Sequence, residues 1–223
     1  MAVSKSDMMN LAMRYLGITN QTISDPDDPS DPFAVRFSDW WAMYIPKELE
    51  GYDWRFARSS TALNLADDTI ESPFDDLTYA YIYPPGCLVP RYIPGNTVDE
   101  NVPYEVGVQG TPQNMVRYIY TAKASAKLIH TVDMQYDYAL FPYSFGVMIA
   151  GRFALEYGAT KMGEGRQLAG LQKLYGALVV EAKQVDLNLS NEQAPTERFE
   201  SDIMTARTGY TSGLSPIHYL SRT

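Results

Sequence analysis

The chain has 223 residues, 45% of them apolar and 17 of them tyrosine, enough for one sizeable domain or a domain carrying an insertion, with aromatic surface suited to interfaces as well as cores. A single cysteine, Cys87, excludes an intrachain disulfide framework. A net charge of −9 offers no overall basic surface of the kind that neutralises phosphates and releases counterions.

The first residues, Met1-Ala2-Val3-Ser4-Lys5-Ser6-Asp7, lack the apolar core of a signal peptide. The longest apolar run, 145–157, is broken by Gly146, Gly151, Arg152 and Glu156. Both features predict a soluble chain made inside the cell, with no membrane partner. Ser4 or Ser6 can cap a helix over 4–16, with Asp7 in its first turn, Met8, Leu11, Ala12, Tyr15 and Leu16 at helical spacing, and Gly17 as a left-handed stop. A polar connector follows over 20–32. Its carboxylates Asp25, Asp27, Asp28 and Asp31 would suit a hard cation, but their spacing matches no EF-hand loop. The plainer reading is a solvated linker that ends with Asp31 as a helix cap and Pro32 as the first helical residue. Phe33, Phe37, Trp40, Trp41, Tyr44, Ile45 and Leu49 then make a wide apolar stripe on a helix over 33–50. Pro46 should kink or restart that helix, and Gly51 should end it.

From 52 to 137 the helical period fades and turn residues multiply. Tyr79-Ala80-Tyr81-Ile82-Tyr83 runs into Pro84-Pro85-Gly86 like a strand into a turn. Further short strands are expected over 88–93, 104–108, 115–121 and 127–132, together one small sheet inserted between helices. Tyr79, Tyr81 and Tyr83 alternate, so they share one strand face, open to either a core or a subunit contact. Helix returns over 138–161, where Phe141, Phe145, Ile149, Phe153 and Tyr157 form one buried face and Pro142 sits near the start. A last long helix spans 164–187, with Leu168, Leu171, Leu174, Leu178, Ala182, Val185 and Leu189 on one side. The short turn around Gly163 and Gly165 favours an antiparallel pair. The segment 190–223 is polar, and its apolar anchors Phe199, Ile203, Met204, Tyr210, Leu214, Ile217, Tyr219 and Leu220 are too sparse to bury a core. It reads as an arm that orders against a partner.

The fold expected from these elements is α+β, mainly α. An antiparallel helical bundle comes from 1–51 and 138–189, a small mainly-β subdomain is inserted over 52–137, and an extended C-terminal arm covers 190–223.

Catalytic chemistry is sparse. His130 and His218 have no Cys, His, Asp or Glu neighbours at metal-ligand spacing, and His130 reads as a surface or half-buried strand residue. Cys87 reads as a small core residue rather than a nucleophile. The segment 158–165 has no Gly-Lys-Ser/Thr end, and Asp67-Asp68 and Asp75-Asp76 read as loop-solvating pairs. The expectation is a protein without enzymatic activity, metal or cofactor. Two competing readings are a glycan hydrolase, resting on abundant carboxylates and tyrosines, and a partner-binding module that uses the C-terminal arm.

Three segments have an order and spacing of their own. They are Trp54, Phe56 and Ala57; then Tyr79, Tyr81, Pro84, Cys87 and Leu88; then Pro142 and Phe145 at a helix start. In this the chain, over roughly 4–187, resembles the tail tubular protein A family of short-tailed bacteriophages, the gatekeeper or head-to-tail adaptor proteins. The resemblance implies a structural virion protein at the head–tail junction, made in the host cytoplasm. It implies a ring of its own copies, typically twelve, between the portal protein and the tail nozzle protein. Such a ring encloses the DNA channel for genome retention and ejection, with double-stranded DNA passing without sequence-specific contact. On this reading Phe199, Ile203, Met204, Tyr210, Leu214, Ile217 and Tyr219 are portal-contact candidates in the arm. Tyr79, Tyr81 and Tyr83 are candidates for subunit or nozzle contact, and Trp54, Phe56, Pro84, Pro142 and Phe145 are motif core. The acidic charge agrees, since a conduit that attracted phosphate would hold the DNA rather than let it pass.

Overall fold

Helices form where caps and apolar periods coincide, and strands fill the stretch between them. The computed structural model describes residues 3–67, 70–97, 100–162 and 165–191. Helices α1 (Lys5–Tyr15) and α2 (Pro32–Glu50) come first. Strands β1 (Arg58–Ala62), β2 (Tyr79–Ile82), β3 (Cys87–Pro94), β4 (Asn101–Val102), β5 (Tyr104–Thr111), β6 (Asn114–Thr121) and β7 (Lys127–Val132) follow, and helices α3 (Tyr143–Met162) and α4 (Arg166–Asn191) come last. The fold is mixed α and β. The chain divides into two units, Met1–Asp186 and Leu187–Thr223. The second is described only over 187–191, the end of α4, which runs through the first two residues of the arm expected over 190–223. The rest of that arm, with Phe199, Ile203, Met204, Tyr210, Leu214, Ile217 and Tyr219, lies outside the described residues.

Local chemistry sets the helix ends. At α1 the Ser4 hydroxyl accepts from the Asp7 N–H at 3.1 Å while the Asp7 carboxylate accepts from the Ser4 N–H at 3.2 Å, a reciprocal capping box. Gly17, at φ +77°, closes that helix in the left-handed region. The buried ridge of α1 is Met8, Met9, Ala12 and Met13, with Leu11 and Tyr15 on its flank, a rotation of the expected stripe. Asp31 caps α2 by accepting from the Phe33 and Ala34 N–H groups at 2.8 and 3.3 Å, with Pro32 behind it in the first turn. This helix runs on through Pro46 to Glu50 and does not restart. The connector before it is tied down rather than merely solvated. The Asn10 side chain donates to the Ile23 carbonyl and accepts from its N–H, and Lys5 pairs with Asp27 at 2.6 Å.

The strands form two antiparallel sheets, where a single small sheet was expected. One has the order β1-β7-β3-β4 and the other β2-β6-β5. Two strands had no sequence signal. β1, Arg-Ser-Ser-Thr-Ala, has no apolar alternation, and β4 is two residues long. Pairing along β7 makes β1 a strand, in register from Arg58↔Thr131 to Ala62↔Lys127.

One apolar core joins α1, α2 and α3 to the inner side of α4, and two smaller clusters lie at the sheets. Helix α3 is buried on several sides, with Phe145, Met148, Ile149, Ala150, Phe153 and Ala154 all enclosed, so it is the central helix of this core rather than one with a single buried face. On α4 the inward positions are Leu171, Tyr175, Leu178, Ala182 and Asp186, a helical spacing that ends in a carboxylate, while Val185 is exposed.

Candidate interaction surface

The Trp54 segment and the Phe145 helix start, some ninety positions apart in sequence, meet in one aromatic knot. Trp54 and Phe56 lie 5.0 and 4.9 Å from Phe145 between ring centres, and Phe141 packs on both Phe56 and Phe145. The Trp54 indole N–H donates to the Glu48 carbonyl at 2.9 Å. Pro142 stands just before α3, and its carbonyl accepts from Gly146. Beneath the knot the buried Asp186 carboxylate accepts from the Arg55 N–H at 2.9 and 3.1 Å. Burial raises the pKa of this carboxyl, opposed by the Arg55 and Phe56 backbone donors.

Arg91, on β3, ties the end of α2 to the first sheet. Its guanidinium donates to the carbonyls of Leu49, Glu50 and Tyr52 at 3.2, 3.2 and 2.8 Å and to the Thr131 hydroxyl at 2.8 Å. The Leu49 and Glu50 carbonyls are ones that the end of α2 leaves without intrahelical partners, and the Tyr52 carbonyl, just beyond that end, also accepts from the Trp54 N–H. Asp53 supports the same corner through Arg58 at 2.8 Å.

The tyrosine motif sits apart from the knot, between the two sheets. Tyr81 is buried, and its hydroxyl donates to the Lys123 carbonyl at 2.8 Å. Tyr79 and Tyr83 pack against the same cluster and keep part of their surface. The face they share is thus a core face at Tyr81. Pro84 is buried and opens a turn in which its carbonyl accepts from Cys87 and Gly86 stands at φ +72°.

The row that starts at Tyr79 and Tyr81 continues across the second sheet and leaves the core. Register places Tyr81 beside Ile119 and Ile119 beside Val106, on the same face as Val108 and Met115. Val106, Val108 and Met115 are 41, 52 and 61% exposed. The opposite face is covered, with Ala66, Leu77, Ala80 and Tyr120 closing over it. A second open feature is a groove of about 360 Å³ between α2 and α3, walled by Trp40, Tyr44, Phe153 and Tyr157 and rimmed by Arg36, Asp39 and Glu156.

The groups able to do chemistry are dispersed. His130 is only 3% exposed, which corrects the surface or half-buried expectation. Its place on β7, between β1 and β3, encloses it, and burial lowers its pKa. Cys87 is half-buried beside Tyr83, and burial raises the pKa of its thiol, the direction away from a reactive thiolate. Glu48 and Glu156 both turn to Arg152, at 3.6 and 2.7 Å, and Asp75 and Asp76 are exposed. Among the described residues no three His, Cys, Asp or Glu side chains are grouped to hold a metal ion, and no helix is long and apolar enough to cross a membrane. No protein-family model matches the chain, and no curated protein matches its sequence.

Proposed function

We propose that this chain is a structural protein of a short-tailed phage particle, the head-to-tail adaptor that forms a ring between portal and tail nozzle around the DNA channel. The observation that carries the reading is the ordered motif set, two of whose three segments converge in the Trp54–Phe56–Phe145 knot. A motif that recurs because it builds a joint would behave in this way. The reading includes an antiparallel bundle of the four helices, with the sheets inserted as a subdomain, and an arm from 192 onward that carries portal contacts. Rings of this kind need two unlike surfaces on each subunit, meeting head to tail. The groove between α2 and α3 and the exposed face around Val106 are two such surfaces.

Native mass spectrometry of the full chain, alone and mixed with portal rings, tests the proposal. The expected outcome is a small species that converts to a stoichiometric ring on the portal. A chain that leaves the portal mass unchanged at low salt overturns it.

A further inference from the structure

The second sheet has two edges of different character. The outer edge of β2 is covered by the chain itself. Ala66 donates to the Ala80 carbonyl, Ile82 donates to the Asn64 carbonyl, and Leu65 bridges to Tyr81. At the other edge stands β5, eight residues long, paired to β6 alone among the described residues. Edges of this length are ordinarily blunted by lysine, proline or an inward charge. β5 reads Tyr-Glu-Val-Gly-Val-Gln-Gly-Thr, with one charge, and the valines flanking its centre are among the exposed apolar residues of the molecule.

The register shows which backbone groups this edge offers. β5 and β6 pair without interruption from Tyr104↔Thr121 to Thr111↔Asn114, across a two-residue Pro112-Gln113 turn. The residues flanking such a turn form a hydrogen-bonded pair, and bonded and non-bonded pairs alternate from there. Thr111, Gln109, Gly107 and Glu105 therefore direct their N–H and C=O groups to β6. Tyr104, Val106, Val108 and Gly110 direct theirs outward.

We propose that this edge pairs antiparallel with the same strand of a second copy of this chain, centred on Gly107. That register is the one in which all four outward-facing residues meet outward-facing partners. Val106 lies opposite Val108 of the second copy, and Tyr104 opposite its Gly110. Each such pair exchanges two backbone hydrogen bonds. Charge selects the same register. Glu105 falls opposite the neutral amide of Gln109, whereas a shift that centres the pairing on Glu105 would set two carboxylates face to face. The exposed valines of the two copies then adjoin on one face and extend the apolar row across a doubled sheet, and an aromatic ring opposite a glycine covers the bare backbone there. Gly107 has no side chain to obstruct the axis, and the Tyr120 ring fills the space a Cβ would take, at 2.8 Å.

The contact uses one patch twice and closes after two copies, so it cannot propagate a head-to-tail ring. It takes up, in the free chain, the Val106 strand whose face the adaptor reading gives to the ring, and it does not rest on that reading. It fits the state of the free chain, with its open edge covered.

Cross-linking tests the register directly. Glu105 and Gln109 of opposite copies form a non-bonded pair, about 4.5 Å apart at Cα, within the span of a disulfide. In the full-length chain with Cys87→Ser, the double variant Glu105→Cys/Gln109→Cys should give a covalent species of twice the chain mass on mild oxidation. Glu105→Cys alone should give none. Val108→Lys, checked for unchanged circular dichroism, should bring the solution mass of the otherwise unaltered chain from dimer to monomer in sedimentation. A double-cysteine chain that stays single, or a single-cysteine chain that links equally well, overturns the pairing. Neither result touches portal binding, which is read separately.

Discussion

At the residue scale, two buried polar groups have consequences that their exposed counterparts would lack. His130 is enclosed in the first sheet with its pKa held below the ordinary value by burial, so the folded chain favours the neutral ring. An unfolded histidine titrates near 6.5. Between about 6.5 and the lower folded value the unfolded chain binds more protons. Stability is therefore complete above that window and is lost as pH falls through it, at no more than about 1.4 kcal/mol per pH unit for one group. Glu48 and Asp186, whose pKa values burial raises, have the opposite sign and favour the fold when protonated. Melting temperatures recorded against pH for the parent chain and for His130→Gln should diverge below about 6.5, with the parent losing more; parallel curves would remove His130 as the source. Asp186 is legible by its partners. Asp186→Ala removes the side-chain acceptor of the part-buried Arg55 N–H and should cost about 1–3 kcal/mol in urea unfolding. Asp186→Asn keeps an acceptor oxygen, removes the buried charge and should cost less than half as much.

At the element scale, the joint between α2 and the first sheet depends on Arg91. One guanidinium serves the last two carbonyls of α2, the Tyr52 carbonyl beyond them and the Thr131 hydroxyl, a fork geometry that an ammonium cannot reproduce. Arg91→Ala should destabilise the chain by about 1.5–3 kcal/mol, and Arg91→Lys should recover only a minor part, as measured by chemical denaturation. An Arg91→Lys variant as stable as the parent would mean that charge rather than the fork matters. The elements themselves differ in how far sequence revealed them. Both caps, at Ser4 and Asp31, were legible because capping is a local exchange of hydrogen bonds within four residues. β1 was not, because its polar sequence becomes a strand only through β7, some seventy residues later.

At the whole-molecule scale, the distal face of the second sheet and the groove beside Trp40 leave apolar surface open on Met1–Asp186. Exposed apolar patches of this kind suit contact with further protein. In the adaptor reading the segment after Asn191 is a separate contact. Removing 192–223 should leave the melting temperature of the remaining chain unchanged and abolish its capture by portal rings in the mass measurement. Capture that survives the deletion would move the portal contact onto the helices and sheets.

The sequence by itself determined the caps at Ser4 and Asp31, the turn at Gly86 and most of the strands, because each of these follows from interactions among near neighbours; the helices expected over 138–161 and 164–187 instead run Tyr143–Met162 and Arg166–Asn191. The tertiary structure alone decided that the strands divide into two sheets, that His130 and Asp186 are enclosed, and that Trp54 and Phe56 reach Phe145. It also decided that α3 is buried on several sides and that, among the described residues, β5 pairs with β6 alone. Those outcomes depend on which distant segments meet, and burial and strand pairing are properties of the meeting rather than of either segment.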